Sequence, residues 1–255
     1  MNLIANKINK LSLKEMEGSL LSFSIMELSS DAKHFNQTKI RESLELAAYL
    51  HRNKTRENRA NLPKDTYITH PYRNTVRLLK YGVKYNEVII ASILHDTVED
   101  HAFEIVNEFT DLDAHKLTLE QLMAESIIVY EKIFGKEIAR LVNAVSNPPF
   151  PKTWTKAEKR KGYAVHVIDA IQDPKVFLIK VSDFVDNAVG LYHNTGRPEM
   201  VAHLSTKYLL VVDEFLTLVN NDTFAAKLNI PVEGINAIKE HLNMGKTRLQ
   251  ELSFK

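Results

Sequence analysis

The 255 residues carry 33 Lys and Arg against 32 Asp and Glu, and a net charge of +1 gives no broad basic surface for non-specific nucleic-acid binding. The chain has no cysteine, which removes disulfides, a thiolate nucleophile and Cys-ligated zinc and is compatible with a reducing cytoplasm. A hydrophobic content of 44% is ample for a packed core, yet apolar runs such as Tyr208–Val212 are far too short to span a bilayer, and Met1–Leu11 lacks the apolar stretch of a secretory signal.

Met1–Gln37 carries the weakest pattern. Leu21-Ser22-Phe23-Ser24-Ile25 alternates like a strand and fits a continued helix equally well, so residues 1–38 read as an appended segment, with a short non-helical piece left open. From Ile40 onward the spacing is helical almost throughout. Ile40, Leu44, Ala47 and Ala48 form one apolar stripe, Val76, Leu79 and Val83 a second after His70-Pro71, and Val88 to Val98 a third. Further stripes follow at Leu122–Val145, Ala164–Ile171, Val176–Leu191, Met200–Val219 and Ile235–Leu252. Pro71, Pro174, Pro198 and Pro231 sit where helices begin, with Asp173 as a cap before Pro174. Only 8 glycines are present, and none of them forms a phosphate-binding loop. The fold class is therefore all-α, a bundle of about ten helices. Its main domain covers 39–220, and a helical extension over 221–255 packs on it.

Chemistry concentrates in Ile93-Leu94-His95-Asp96-Thr97-Val98-Glu99-Asp100. On one continuous helix, His95, Asp96, Glu99 and Asp100 fall within an arc of about 140°, away from Ile90, Ala91, Leu94 and Val98. An imidazole and three carboxylates on one face are a metal site, and a hydrolytic one. His70 stands before Pro71 at a helix mouth, an exposed start suited to a ligand. Lys180, Asp183 and Asn187 share a face at steps of three and four, with Phe177, Val181, Phe184 and Val185 left for packing. Asp183 completes a set of two imidazoles and two carboxylates. Such a sulfur-free set suits Mn²⁺, Fe²⁺ or a similar divalent ion. Taken singly these residues read as structural, the acidic face as solvated and Lys180 as a salt-bridge partner. Together they point to the metal. His34, His51, His101, His115, His166, His193, His203 and His241 have no comparable context and read as surface or satisfied core histidines.

In order, Tyr67-Ile68-Thr69-His70-Pro71, Leu94 to Asp100, Phe134-Gly135 and Lys180-Val181-Ser182-Asp183 with Asn187 resemble the HD-domain hydrolases of the RelA/SpoT alarmone family, over about Ile40 to Leu218. The resemblance implies an all-helical HD domain that binds Mn²⁺ and removes the 3′-pyrophosphate of (p)ppGpp in cytoplasmic stringent-response signalling. No synthetase region fits after the hydrolase, so the small, hydrolase-only members are the ones resembled. It also implies His70, His95, Asp96 and Asp183 as metal ligands, and Glu99 and Asp100 as the pair that positions or deprotonates the attacking water. Asn187 matches a nucleotide contact, and Arg56 falls near the place of a base-stacking arginine in a loop, Asn53–Asp65, longer than usual. Lys156 and Arg160 share a face of the one strongly basic run, Pro151–Lys161, where family members supply phosphate contacts.

The departures lie at the rim. Phe184 follows the metal aspartate in place of a basic residue, Glu57 follows Arg56 in place of a lysine, extra residues occur around Asp111 to Tyr130, and Ser146-Asn147-Pro148-Pro149 replaces a Thr-Lys segment. The reading is a hydrolase acting on a small nucleotide, with no membrane or extended nucleic acid as partner and with oligomeric state open. Its alternatives are (p)ppApp, NADPH or a nucleoside phosphate as substrate, or a nucleotide-sensing module without turnover.

Overall fold

The computed structural model describes residues 7–8, 10–56, 64–193 and 198–253. Among the described residues are twelve α-helices, a few short 3-10 and π turns and one two-stranded sheet, β1 (Thr55–Arg56) with β2 (Asp65–Thr66), so the all-α expectation holds. Glu57 and residues 58–63 of the long loop lie outside the described residues. The chain divides into two compact units.

The first unit comprises Met1–Lys54, Thr66–Leu79 and Lys84–Pro149. Its helices are α1 (Gly18–Leu28), α2 (Gln37–Leu50), α3 (Thr69–Lys80), α4 (Asn86–Leu94), α5 (Thr97–Phe109), α6 (Leu119–Phe134) and α7 (Lys136–Val145). The alternating stretch near the N-terminus is helical: α1 buries Leu21, Ser24 and Ile25 and packs on α2. At the centre lies α4, buried from Val88 through Leu94, with α2 and α7 against it. A helix apolar all round belongs in a core, and the stretch read as an apolar stripe is in α4 buried on every face. The residues around Asp111–Tyr130 build a capped helix. Thr118 and Gln121 form a reciprocal capping box, and Leu122 joins Ala102, Val106 and Ala114 in a local core. The long Leu122–Val145 stripe is two helices, because Gly135 takes φ 101°, a value that L side chains rarely adopt.

The second unit comprises Thr55–Asp65, Lys80–Val83 and Phe150–Lys255. Here stand α8 (Lys156–Ala170), α9 (Pro174–Phe184), α10 (Pro198–Asn220), α11 (Asp222–Leu228) and α12 (Val232–Ser253). The proline signals hold. Pro174 opens α9 with Asp173 accepting from the Lys175 and Val176 amides, Pro198 opens α10, and Pro231 immediately precedes α12. Phe177, Phe184, Phe215 and Phe224 form an aromatic core, with neighbouring rings 5.2–5.5 Å apart. Gly245 of α12 lets that helix come close: a Cβ there would stand 3.2 Å from Val189 and 3.4 Å from Phe184.

Candidate metal centre

The first unit brings three of the sequence-predicted ligands together. Contrary to one continuous helical face, the helix breaks: α4 ends at Leu94, α5 begins at Thr97, and His95-Asp96 occupy the corner. Thr97 Oγ1 donates to the Leu94 carbonyl and itself accepts from Tyr130 Oη at 2.7 Å, so a residue of α6 pins the break. The corner turns Asp96 toward two imidazoles. Asp96 Oδ1 lies 3.3 Å from His95 Nε2, and Asp96 Oδ2 lies 3.5 Å from His70 Nε2. His70, expected at an exposed helix start, is instead 1% exposed, and His95 is 2% exposed.

Hydrogen bonds orient these donors. His95 Nδ1 lies 2.9 Å from the Ser92 carbonyl, which can only accept, so Nδ1 carries the hydrogen and Nε2 presents its lone pair toward Asp96. Tyr67 Oη donates to Asp96 Oδ2 at 2.7 Å. Metal bonds of about 2.1 Å place neighbouring donors about 3 Å apart. The observed edges of 3.3 and 3.5 Å are of that size, and two neutral imidazoles with a carboxylate fit a divalent metal ion.

One turn along α5 stand Glu99 and Asp100, and each is held by a residue that the sequence did not single out. Glu99 accepts from the Asn147 backbone amide at 2.7 Å and from Asn147 Nδ2 at 3.0 Å on each of its oxygens. Asn147 belongs to Ser146–Pro149, the segment read from the sequence as a departure, and it bonds both oxygens of Glu99. Asp100, which is exposed, pairs with Lys54, whose ammonium also sits 3.9 Å from the centroid of the Tyr67 ring. Neither partner is adjacent in sequence, and only Tyr67 lay inside a motif.

The second unit holds the remaining predicted residues. Asp183 sits at the end of α9, where the chain passes into a π turn over Val185–Val189, and Asn187 Nδ2 donates to Asp183 Oδ1 at 2.6 Å. Arg56 donates through Nη2 to Asn187 Oδ1, so the two expected nucleotide contacts are neighbours. Lys180 is 5% exposed, and Phe177, Val181, Phe184 and Val185 are buried as their spacing requires. Lys156 is exposed in the first turn of α8, and Arg160 Nη1 lies 3.4 Å from His203 Nδ1 of α10. Burial, with Arg160, Lys156 and Lys207 nearby, lowers the His203 imidazole below its usual range.

A histidine at a helix start, a His-Asp corner and an acidic pair one turn on thus make a candidate divalent-metal centre on a helical scaffold. No family model matches the chain. It is 31% identical over 128 residues to guanosine-3′,5′-bis(diphosphate) 3′-pyrophosphohydrolase of Aquifex aeolicus, half of this chain and 15% of that protein. To the MESH1 enzyme of the same description from Danio rerio it is 31% identical over 148 residues, 57% of this chain and 65% of the relative. To the bifunctional (p)ppGpp synthase/hydrolase SpoT of Escherichia coli it is 28% identical over 141 residues, 55% of this chain and 17% of the relative. The chain thus matches less than two thirds of each of these relatives. Its fold is shared with the solved structure of a metazoan SpoT orthologue described as hydrolysing ppGpp, at a TM-score of 0.53 and 23% identity, covering 80% of this chain and 97% of that one. The motifs and these comparisons agree: over about half its length the chain is similar to ppGpp hydrolases.

Proposed function

We propose that the protein hydrolyses ppGpp and pppGpp at the 3′ position, giving GDP or GTP and pyrophosphate, within cytoplasmic stringent-response signalling. The observation that carries this reading is the Asp96 carboxylate facing two buried imidazoles, with Glu99 and Asp100 fixed one turn beyond. His70, His95, Asp96 and Asp183 are the ligands, and the oxygen and nitrogen donors favour Mn²⁺, with Fe²⁺ as the nearest substitute. When bound, a divalent ion makes water more acidic and offsets charge on the diphosphate. Asp100 accepts the proton of the attacking water, and its pairing with Lys54 fixes where that proton goes. Glu99, immobilised by Asn147, holds the water in line with the 3′-diphosphate. Arg56 and Asn187 position the nucleoside, while Lys156 and Arg160 meet phosphate charge.

Incubation with ppGpp and Mn²⁺, resolved by chromatography, should give GDP and pyrophosphate in equal amounts and none with Asp96→Ala. Intact ppGpp beside Mn²⁺-loaded protein refutes the reading. One observation favours a changed substrate within the same reaction class: Phe184 is buried where relatives' motifs lead to a basic residue. (p)ppApp and NADPH are accordingly the next substrates to assay.

A further inference from the structure

A second group of metal-capable side chains stands on α5 and the end of α2, and the proposed hydrolysis uses only one of its members. His51 caps the C-terminus of α2 and is 2% exposed, and His101 of α5 is 9% exposed. Both read from the sequence as surface or satisfied core histidines, yet their rings meet edge to face at 4.6 Å, with His101 Nε2 2.9 Å from His51 Nδ1. The backbone helps. Inside α5, His101 leaves helical geometry at φ −137° and ψ 22°, which takes its imidazole off the regular spacing. Asp100 joins them: one donor atom from each of His51, Asp100 and His101 lies within 4.8 Å of the other two.

Three features separate this group from an ordinary packed histidine pair. Neither His51 Nε2 nor His101 Nδ1 makes a hydrogen bond, so the two buried imidazoles have only the bond between them. Glu104 Oε1 lies 3.6 Å from His101 Nδ1, longer than a hydrogen bond but on the side from which an outer carboxylate turns a ligating imidazole's other nitrogen to an ion. Asp100 is exposed, which gives an ion a way in. Bonds of about 2.0–2.1 Å at tetrahedral angles set donors about 3.3 Å apart, so the imidazole pair would open by about 0.4 Å.

We propose that His51, Asp100 and His101 form a second, inhibitory site for a zinc-class divalent cation, with water completing the coordination. The inhibitory part rests on the proposed role of Asp100: an ion on its carboxylate takes the lone pair that would accept the proton. Occupancy of the site does not rest on it. The Lys54 ammonium already paired with Asp100 opposes a cation there, so this site fills after the His70, His95 and Asp96 centre. Metal dependence of turnover then rises and falls.

Full-length protein freed of metal and titrated with Co²⁺, followed by its visible absorption and by metal analysis after dialysis, tests the site without any substrate. Wild type should bind two equivalents, His101→Gln one, and Asp96→Ala one at the remaining second site. Wild type saturating at one equivalent, His101→Gln retaining two, or Asp96→Ala binding none overturns the proposal. With substrate, His101→Gln should keep its Mn²⁺-supported rate and need at least about tenfold more Zn²⁺ for half inhibition; inhibition unchanged from wild type overturns the inhibitory role. A second equivalent that follows His101 in a protein that leaves ppGpp intact supports the site while refuting the hydrolase reading.

Discussion

Replacing Asn147 with alanine separates the positioning of Glu99 from the stability of the fold. Asn147 Nδ2 reaches both oxygens of Glu99 at 3.0 Å, and the variant removes this donor while the backbone amide, 2.7 Å from Oε1, stays. A hydrogen bond to a charged group contributes about 1.5–3 kcal/mol, and because Glu99 is half-buried the lower half of that range applies. If the bond serves to hold Glu99 in the transition state, kcat falls by about 13- to 45-fold with KM little changed. Stability should barely move, because the same substitution deletes Asn147 Oδ1, a buried acceptor with no hydrogen-bond partner, whose loss offsets that of the donor. Steady-state kinetics with ppGpp, read beside thermal unfolding and Mn²⁺ content, decides the matter. A kcat within twofold of wild type, or a fall in Tm large enough to account for lost activity, refutes the positioning role.

His95→Ala and Asp96→Ala should each abolish turnover and weaken Mn²⁺ binding, and chelation of wild type should do the same until Mn²⁺ is restored; turnover persisting in either variant refutes the ligand assignment. Tyr67→Phe removes the 2.7 Å hydroxyl bond to Asp96 Oδ2 and should weaken Mn²⁺ binding by about 10-fold, measured by titration, with an unchanged affinity as the contrary result. Burial, with His101 beside it, pushes the His51 imidazole from 6.5 down to about 3, so the folded protein keeps this ring neutral while the unfolded chain protonates it below its ordinary pKa. Its contribution to stability is complete above pH 6.5 and is lost as pH falls toward 3, by about 1.4 kcal/mol per unit well inside that window. Chemical denaturation of metal-free His51→Gln should therefore show a shallower decline over the same range, and an equal decline counts against the buried neutral ring.

The parts of this molecule legible in its sequence are those specified by residues close together along the chain. Asp173-Pro174 announces the start of α9 because cap and first turn are adjacent, and the run of Val88 to Leu94 announces a buried helix because every face is apolar. The break at His95-Asp96 is not written there, since the apolar pattern continues through Val98 and the pin is Tyr130, in another helix. For the same reason the contacts of Asn147 and Lys54 passed unnoticed. An amide and an ammonium gain meaning only when folding sets them on Glu99 and Asp100. His51 and His101 are the strongest case: fifty positions apart, they look unremarkable singly and become a nitrogen-to-nitrogen pair in the fold.

Phe184 shows where function has most freedom to differ from the relatives. It is 3% exposed, with its ring 6.0 Å from Tyr208 and 5.4 Å from Phe215, so the position after Asp183 is committed to the aromatic core of its unit. A cationic side chain there would have to be buried against those rings, so the charge of the proposed substrate would be met from elsewhere. Cations in the same unit include Arg56, bonded to Asn187, and the Lys156, Arg160 and Lys207 group around His203. In the first unit, Ser92 and Tyr67 bond the His95-Asp96 corner, and Asn147 and Lys54 bond Glu99 and Asp100. In the proposed mechanism, reaction chemistry and substrate choice are assigned to different sets of side chains. Changes in the first set lower kcat for every nucleotide alike, whereas changes in the second shift the ratio of kcat/KM between nucleotides, and that difference identifies which set a given residue serves.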